Sequence, residues 1–254
     1  MKLGFEDARA EFQSASQTAR VDTENWASRY MFCPNCGNSR LSQFEANRPV
    51  ADISCSVCGN EFELKSQSKP FGNKIANGAY ETKLKRLSAD NSPNLILLHY
   101  DRVRRVVVNL HVVPKCFFVR SVIERRKPLA STARRAGWVG SNIVLSRIPL
   151  SGRVRVVNEG EIRPRKHVLD DWQQTAFVAT KTGDARGWLV DVMHCIEKQD
   201  KQVFTLSDLY GFEGELSCMY PQNNNIRPKI RQQLQVLRDN GYLQFLGDGR
   251  YSLL

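Results

Sequence analysis

Cys33-Pro-Asn-Cys36 and, after eighteen intervening residues, Cys55-Ser-Val-Cys58 within the run Asp52-Ile-Ser-Cys55-Ser-Val-Cys58-Gly-Asn-Glu61-Phe-Glu63-Leu-Lys65 lay two patterns over one stretch of chain. The first is a pair of Cys-x2-Cys turns. Each turn offers two thiolates at the bite of a tetrahedral ion, and their separation is that of a zinc ribbon. Cys33, Cys36, Cys55 and Cys58 are therefore expected to hold one Zn2+. A closed set of four sulfurs leaves no position for water or substrate, so that ion is expected to be structural.

The second pattern is Asp52 followed by Glu63-x-Lys65. Phosphodiester hydrolysis needs a hard cation held by carboxylates, to polarise a phosphoryl oxygen and activate water, and a positive side chain near the developing charge. The second cysteine pair falls between Asp52 and Glu63, at the tip of an expected hairpin. Folding that knuckle brings the two carboxylates together on adjacent antiparallel strands, and strand alternation puts Lys65 on the face of Glu63. Asp52, Glu63 and Lys65 are the expected catalytic residues. Asp52, Glu63 and the Leu64 carbonyl are the expected Mg2+ ligands.

Outward from this stretch, residues 5 to 28 read as a helix with Phe12, Ala15, Ala19 and Trp26 among its apolar positions and Glu24 near its end. Strands are expected from Leu41 to Ala46, from Val50 to Ser54 and from Glu61 to Lys65, with a turn at Asn47-Arg48-Pro49. A helix over Ala76 to Ala89 stops at Asn91-Ser-Pro93, before an apolar strand from Leu95 to Leu98 that pairs with a second from Val106 to Val113. The order is helix, three strands, helix, strand. Near Lys181-Thr-Gly-Asp the composition shifts, and two units are expected, 1–180 and 181–254. The second unit reads as helices over residues 185–198, from Thr205 onward and over residues 226–240. A terminal hairpin follows, with Leu243, Phe245, Tyr251 and Leu253 facing inward, and the pattern is that of a winged helix.

Charge and cysteine usage narrow the function. The 254 residues hold 37 Lys and Arg against 26 Asp and Glu, a net charge of +11. Between Arg102 and Arg135 ten basic residues face the single acid Glu124, which suits phosphate neutralisation. Seven cysteines, four of them in the two turns, indicate metal binding and not a disulfide framework; Cys116, Cys195 and Cys218 are expected to behave as small buried hydrophobes. No run reaches the roughly 18 apolar residues of a membrane helix, and the N-terminus lacks the apolar core of a secretion signal, so a cytoplasmic protein away from membranes is expected. The histidines, His99, His111, His167 and His194, show neither ligand spacing nor a neighbouring nucleophile and receive no role.

The helix, hairpin, helix and strand around Asp52, Glu63 and Lys65 resemble the core of the PD-(D/E)XK nuclease superfamily, with Ala51 where proline is usual. The four cysteines beside that triad, the string Arg126-Lys-Pro-Leu-Ala-Ser-Thr-Ala-Arg-Arg-Ala-Gly-Trp138, and Lys229-Ile-Arg-Gln-Gln-Leu-Gln in the terminal winged helix together resemble the DpnI-type methyl-directed restriction endonucleases. The expected fold class is α/β (α+β): a PD-(D/E)XK core with an inserted four-cysteine zinc ribbon, plus a C-terminal winged helix. The resemblance implies a monomer cutting double-stranded G-A-T-C DNA that carries N6-methyladenine, with Mg2+ as catalytic ion. Trp138, flanked by Arg134 and Arg135, is then the expected contact to the methylated base pairs, since an indole offers apolar surface to a methyl group. Arg227, Lys229, Arg231, Gln232 and Gln233 are the expected phosphate and base-edge contacts of the third helix. Two other readings remain: a non-catalytic DNA-binding regulator, and a repair nuclease without sequence preference.

Overall fold

The computed structural model describes residues 1–6, 14–45 and 51–254. Helix α1 (Ala15–Tyr30) leads into strands β1 (Ser42–Gln43), β2 (Ile53–Ser54) and β3 (Glu61–Gln67). Strand β4 (Lys74–Ala79) and helix α2 (Tyr80–Ser88) cross over to β5 (Asn94–Asp101), which returns as β6 (Val106–Val113). Strands β7 (Ile123–Arg125) and β8 (Gly140–Val144) flank the basic loop, and β9 (Val154–Asn158), β10 (Glu161–Ile162), α3 (Arg165–Gln174) and α4 (Ala176–Ala179) follow. The chain ends in α5 (Gly183–Lys198), β11 (Val203–Thr205), α6 (Leu206–Tyr210), α7 (Glu213–Met219), α8 (Ile226–Asp239) and the hairpin β12 (Leu243–Gly247) with β13 (Arg250–Leu253). Among the described residues no helix is long and apolar enough to cross a membrane.

The main sheet runs β1-β2-β3-β5-β6-β9-β10, with β3 and β5 parallel and the other pairs antiparallel. Its parallel pair is the consequence of the β4–α2 crossover, since a tight turn can join only antiparallel neighbours. One face packs on α1 and α3 through Trp26, Ala27, Phe62, Ile96, Leu98, Val168 and Trp172. The other face, carrying Leu95, Leu97 and Val113, shares a continuous apolar core with the small sheet β4-β8-β7 and with the C-terminal helices. Phe62, fully buried where the hairpin meets the sheet, ties the position of Glu63 to that packing.

Several expectations change in three dimensions. Helix α1 carries the buried Trp26 as expected, while Phe12 and the turn Asn47-Arg48-Pro49 lie outside the described residues. The helix expected from Ala76 starts only at Tyr80, because residues 74–79 pair with β8 in the register Ile75↔Ile143. That pairing, which buries Ile75, overrides the local helix preference of the alanines. The basic segment after β6 is a loop held between the short strands β7 and β8, and α3 and α4 form where no helix was expected. Cys116 and Cys195 are buried and Cys218 is exposed.

The C-terminal part forms the winged helix, with β11-β13-β12 as its sheet. Helix α7 is an addition to the expected three; it buries Leu216. Phe245, expected inward, keeps its register opposite Tyr251, with ring centroids 5.2 Å apart, but lies toward the hairpin turn and is 45% exposed. Helix α6 starts with a capping box, in which the Thr205 hydroxyl accepts from Asp208 N–H while the Asp208 carboxylate accepts from Thr205 N–H. Thr205→Ala is expected to lower stability by about 1 kcal/mol in a denaturant titration, the usual effect of removing an N-cap. A second link joins the two parts of the chain: buried Asp191 on α5 accepts hydrogen bonds from Ser121 at 2.5 Å and Tyr220 at 2.7 Å. Tyr220 also stacks on Trp188, with ring centroids 4.0 Å apart.

Candidate active site and metal centre

The two cysteine turns fold identically, and both read Cys-x-x-Cys-Gly-Asn. In each, the glycine N–H donates to the first cysteine carbonyl at 2.9 Å, and that cysteine N–H donates to the carbonyl of the asparagine. Gly37 (φ +76°) and Gly59 (φ +71°) occupy the left-handed conformation that this tight return requires, which side chains with a Cβ rarely adopt. The Cys33–Cys58 and Cys36–Cys55 sulfurs are 3.6 Å apart, and all four lie within 4.8 Å of one another. A zinc ion with bonds of about 2.3 Å demands sulfur separations of about 3.8 Å, so the cluster has the size and donor set for it. Asn60 and Asn38 donate to Cys58 and Cys55 sulfurs at 3.3 and 3.7 Å, an outer shell that orients thiolates. Burial raises the Cys33 thiol above its ordinary range. At Cys58 burial acts in the same direction, but donors from Asn60 and Asn35 outweigh it and bring the thiol to about 6.

The clamped hairpin presents the carboxylates as expected. Strands β2 and β3 pair Ile53 with Phe62, and the Asp52 N–H donates to the Phe62 carbonyl at 2.9 Å, so the next step in register sets Asp52 against Glu63. The Leu64 N–H donates back to Asp52 Oδ2 at 2.8 Å and fixes the rotation of the carboxylate. Lys65 Nζ lies 2.6 Å from Glu63 Oε1. These side chains line one cavity of about 330 Å3 with Arg20, Thr23, Glu24 and Ser66. Burial pushes the Asp52 carboxyl up; the Leu64 N–H opposes that, and the neighbouring Glu24 and Glu63 charges add to it. Three carboxylates converge on this cavity, partly balanced by Arg20 and Lys65, and hard oxygen donors of this kind suit Mg2+.

Glu24 and Arg20 are members of this cavity that local reading did not assign. Arg20 Nε pairs with Glu24 at 2.6 Å and its Nη2 lies 3.6 Å from Asp52 Oδ1, while Gln43 donates to the other Glu24 oxygen at 3.1 Å. Packing of α1 on the sheet brings them in, and the Thr23 hydroxyl, bonded to Ser66 at 2.9 Å, pins that end of the helix to β3. The sequence carried one signal: Arg20 and Glu24 are spaced i,i+4 on the helix face that also holds Thr23. Lys83 of α2 is likewise buried, its ammonium 4.7 Å from the Phe118 ring centre; burial lowers its pKa and the Glu63 charge opposes that.

The expected DNA contacts fall into two groups. Arg134 and Arg135 are exposed on the loop between β7 and β8, and the Arg135 guanidinium covers the Trp138 ring at 4.7 Å. The other edge of that indole rests on Gly140, where a Cβ would come within 2.8 Å of the ring. On α8, Arg227 pairs with Glu213 at 2.8 Å and Arg231 donates to the Tyr210 hydroxyl at 3.1 Å, while Gln232 is exposed and Lys229 half-buried. Gln233 departs from expectation. It is only 5% exposed, on the apolar stripe with Ile230 and Leu234, and so faces the core.

A family model for the Dam-replacing family, DpnI, matches residues 1–181, and one for the Dam-replacing helix-turn-helix domain matches residues 184–252. Between them the two matches take in the hairpin with its thiol cluster and the winged helix with α8. The chain belongs to the DpnI, Dam-replacing, family and is a methyl-directed restriction enzyme, a nuclease with a C-terminal helix-turn-helix domain for binding DNA.

Proposed function

We propose that the protein hydrolyses double-stranded DNA at G-A-T-C sites carrying N6-methyladenine, acting as a Mg2+-dependent monomer in the cytoplasm. The observation that carries this reading is the convergence of Asp52, Glu63 and Lys65 on one cavity in a chain of this family. Residues 1–180 form the cutting unit and 181–254 a second reader of the site, joined through Asp191.

Asp52, Glu63 and the Leu64 carbonyl would hold the ion, which supplies Lewis acidity at the phosphoryl oxygen and a lowered pKa for an attacking water. The remaining work falls to the chain. Asp52 keeps its orientation through the Leu64 N–H. Lys65 places a positive charge beside Glu63, where it stabilises charge developing on the phosphorane-like oxygens. Glu24 adds a third carboxylate to the cavity, and Arg20 balances it and Asp52. On the recognition side, Trp138 offers apolar surface to the adenine methyl group, with Arg134 and Arg135 on phosphates. Arg227, Lys229, Arg231 and Gln232 face the major groove from α8.

A regulator that binds without cutting would set Asp52, Glu63 and Glu24 against DNA phosphates, an opposition that favours a bound cation and hydrolysis. Plasmid from adenine-methylating and from non-methylating hosts, incubated with protein and Mg2+, tests the reading. Discrete fragments from methylated plasmid alone are expected. Smearing of both would indicate a repair nuclease, and intact DNA in a retarded complex a regulator.

A further inference from the structure

The face of the main sheet that carries Glu63 and Lys65 continues sideways into a second, smaller pocket that the catalytic reading does not use. In register, Lys65 on β3 stands beside Leu97 on β5, Leu97 beside His111 on β6, and His111 beside Arg155 on β9. Paired residues of neighbouring strands share a face, so the row runs straight from the catalytic cavity into the pocket. At about 4.8 Å per strand, Arg155 lies roughly 14 Å along the sheet from Lys65, about the rise of four base pairs. The pocket measures about 290 Å3 and is lined by His99, Asn109, His111, Arg153, Arg155 and Asn158, with Pro70, Phe71 and Leu145 among its apolar walls. No carboxylate is among its lining residues.

The hydrogen bonding of this lining is incomplete in one direction. Asn109 Oδ1 accepts from the Glu159 N–H at 2.9 Å, which fixes the orientation of its amide and aims the NH2 group at His99 Nδ1, 3.2 Å away. Nδ1 is then an acceptor, and the His99 proton sits on Nε2 as a donor. Arg153 is anchored by Nη2 on the Ile148 carbonyl at 3.0 Å and on the Leu145 carbonyl. Its Nε, however, is buried without a hydrogen-bond partner among the described residues, and so is His111 Nε2. Buried polar atoms are rarely left unmatched, and the two residues that carry these both line an acid-free pocket, whose polar lining therefore keeps unused hydrogen-bonding capacity. Burial, and the Arg155 and Arg153 charges, hold the His111 imidazole at about 4, a surplus of positive potential that an anion would relieve.

We propose that this pocket is a phosphate-binding site, in which Arg155, Arg153, His99 and His111 receive a phosphate group beside the catalytic cavity. The group is either a backbone phosphate of the bound duplex or free phosphate. The fixed guanidinium of Arg153 and the His99 Nε2–H supply directed donors. Arg155, exposed at the mouth, supplies charge. The site does not depend on the catalytic assignment of Asp52, Glu63 and Lys65, and only its DNA form rests on the protein binding duplex.

The test uses the full chain with 15N-labelled histidine, and Arg155→Gln as the variant, chosen because an exposed side chain can change without disturbing the fold. Inorganic phosphate is expected to shift the His99 and His111 side-chain resonances saturably. Arg155→Gln should weaken that response about tenfold, the effect of one charge-assisted hydrogen bond. In parallel, duplex affinity is measured against salt concentration; losing one phosphate contact lowers the slope of log K against log salt by about 0.9. Shifted resonances with a reduced slope support the site with DNA as its source of phosphate. Shifted resonances with an unchanged slope support it with free phosphate. Unshifted resonances overturn it whatever the slope does, since Arg155 would then act outside the pocket. Lys65→Ala, if it abolishes cleavage, should leave both readouts as they are, so failure of this site and failure of the catalytic reading give different results.

Discussion

Lys65→Ala is expected to reduce DNA cleavage by about 10²-fold or more while leaving duplex affinity and melting temperature close to those of the parent, the scale seen when one preorganised charge is removed from a transition state. The ammonium lies 2.6 Å from Glu63 Oε1, inside the cavity and on a strand whose other face is locked by Phe62, so its removal leaves the scaffold in place. Asp52→Ala should be at least as severe for cleavage, because it removes a cation ligand and the acceptor of the Leu64 N–H together. Single-turnover cleavage with Mg2+, set beside gel-shift binding of the same duplex without metal, separates chemistry from affinity. Near-parental cutting by either variant would remove that residue from the mechanism.

Replacing Cys58 by alanine is expected to have the opposite profile, with folding lost before chemistry can be measured. Structural zinc contributes an apparent 10–16 kcal/mol, roughly, in small four-ligand sites, which is comparable with the roughly 5–15 kcal/mol that stabilises a whole domain. The thiol cluster sits at the tip of the β2–β3 hairpin, and Cys33 and Cys55 are themselves part of the apolar core on that side of the sheet. Loss of the clamp therefore loosens both the packing and the register that sets Asp52 opposite Glu63. The checks are zinc content near one per chain in the parent and below it in the variant, with a large fall in melting temperature that a chelator reproduces in the parent. A variant that keeps its melting temperature would show that the hairpin stands without its ion.

The hairpin was legible because everything that forms it is local. Two Cys-x2-Cys turns, the alternation of Glu61, Phe62, Glu63, Leu64 and Lys65, and an intervening loop closed by metal leave little freedom of register. Strand β4 was not legible, since its alanines favour a helix and only the meeting of Ile75 with Ile143 makes the segment a strand. Gln233 misled for a related reason: its side chain is polar, but its place on α8 beside Ile230 and Leu234 is decided by what packs against the helix. Phe245 departs the other way: it holds the face of buried Leu243, but nearer the hairpin turn, where alternation gives the face and not the depth of burial.

From the residues alone came the thiol cluster, the pairing of Asp52 with Glu63 and Lys65, and the excess of positive charge, all legible without knowing which distant parts of the chain meet. Tertiary structure decided which distant side chains join them. Glu24 and Arg20 reach the catalytic cavity because α1 lies across β3, and Lys65, His111 and Arg155 fall in one row because strands far apart in the chain are neighbours in the sheet. Short-range periodicity reports which face a residue takes, whereas strand order, set by the packing of the whole core, determines what that face meets.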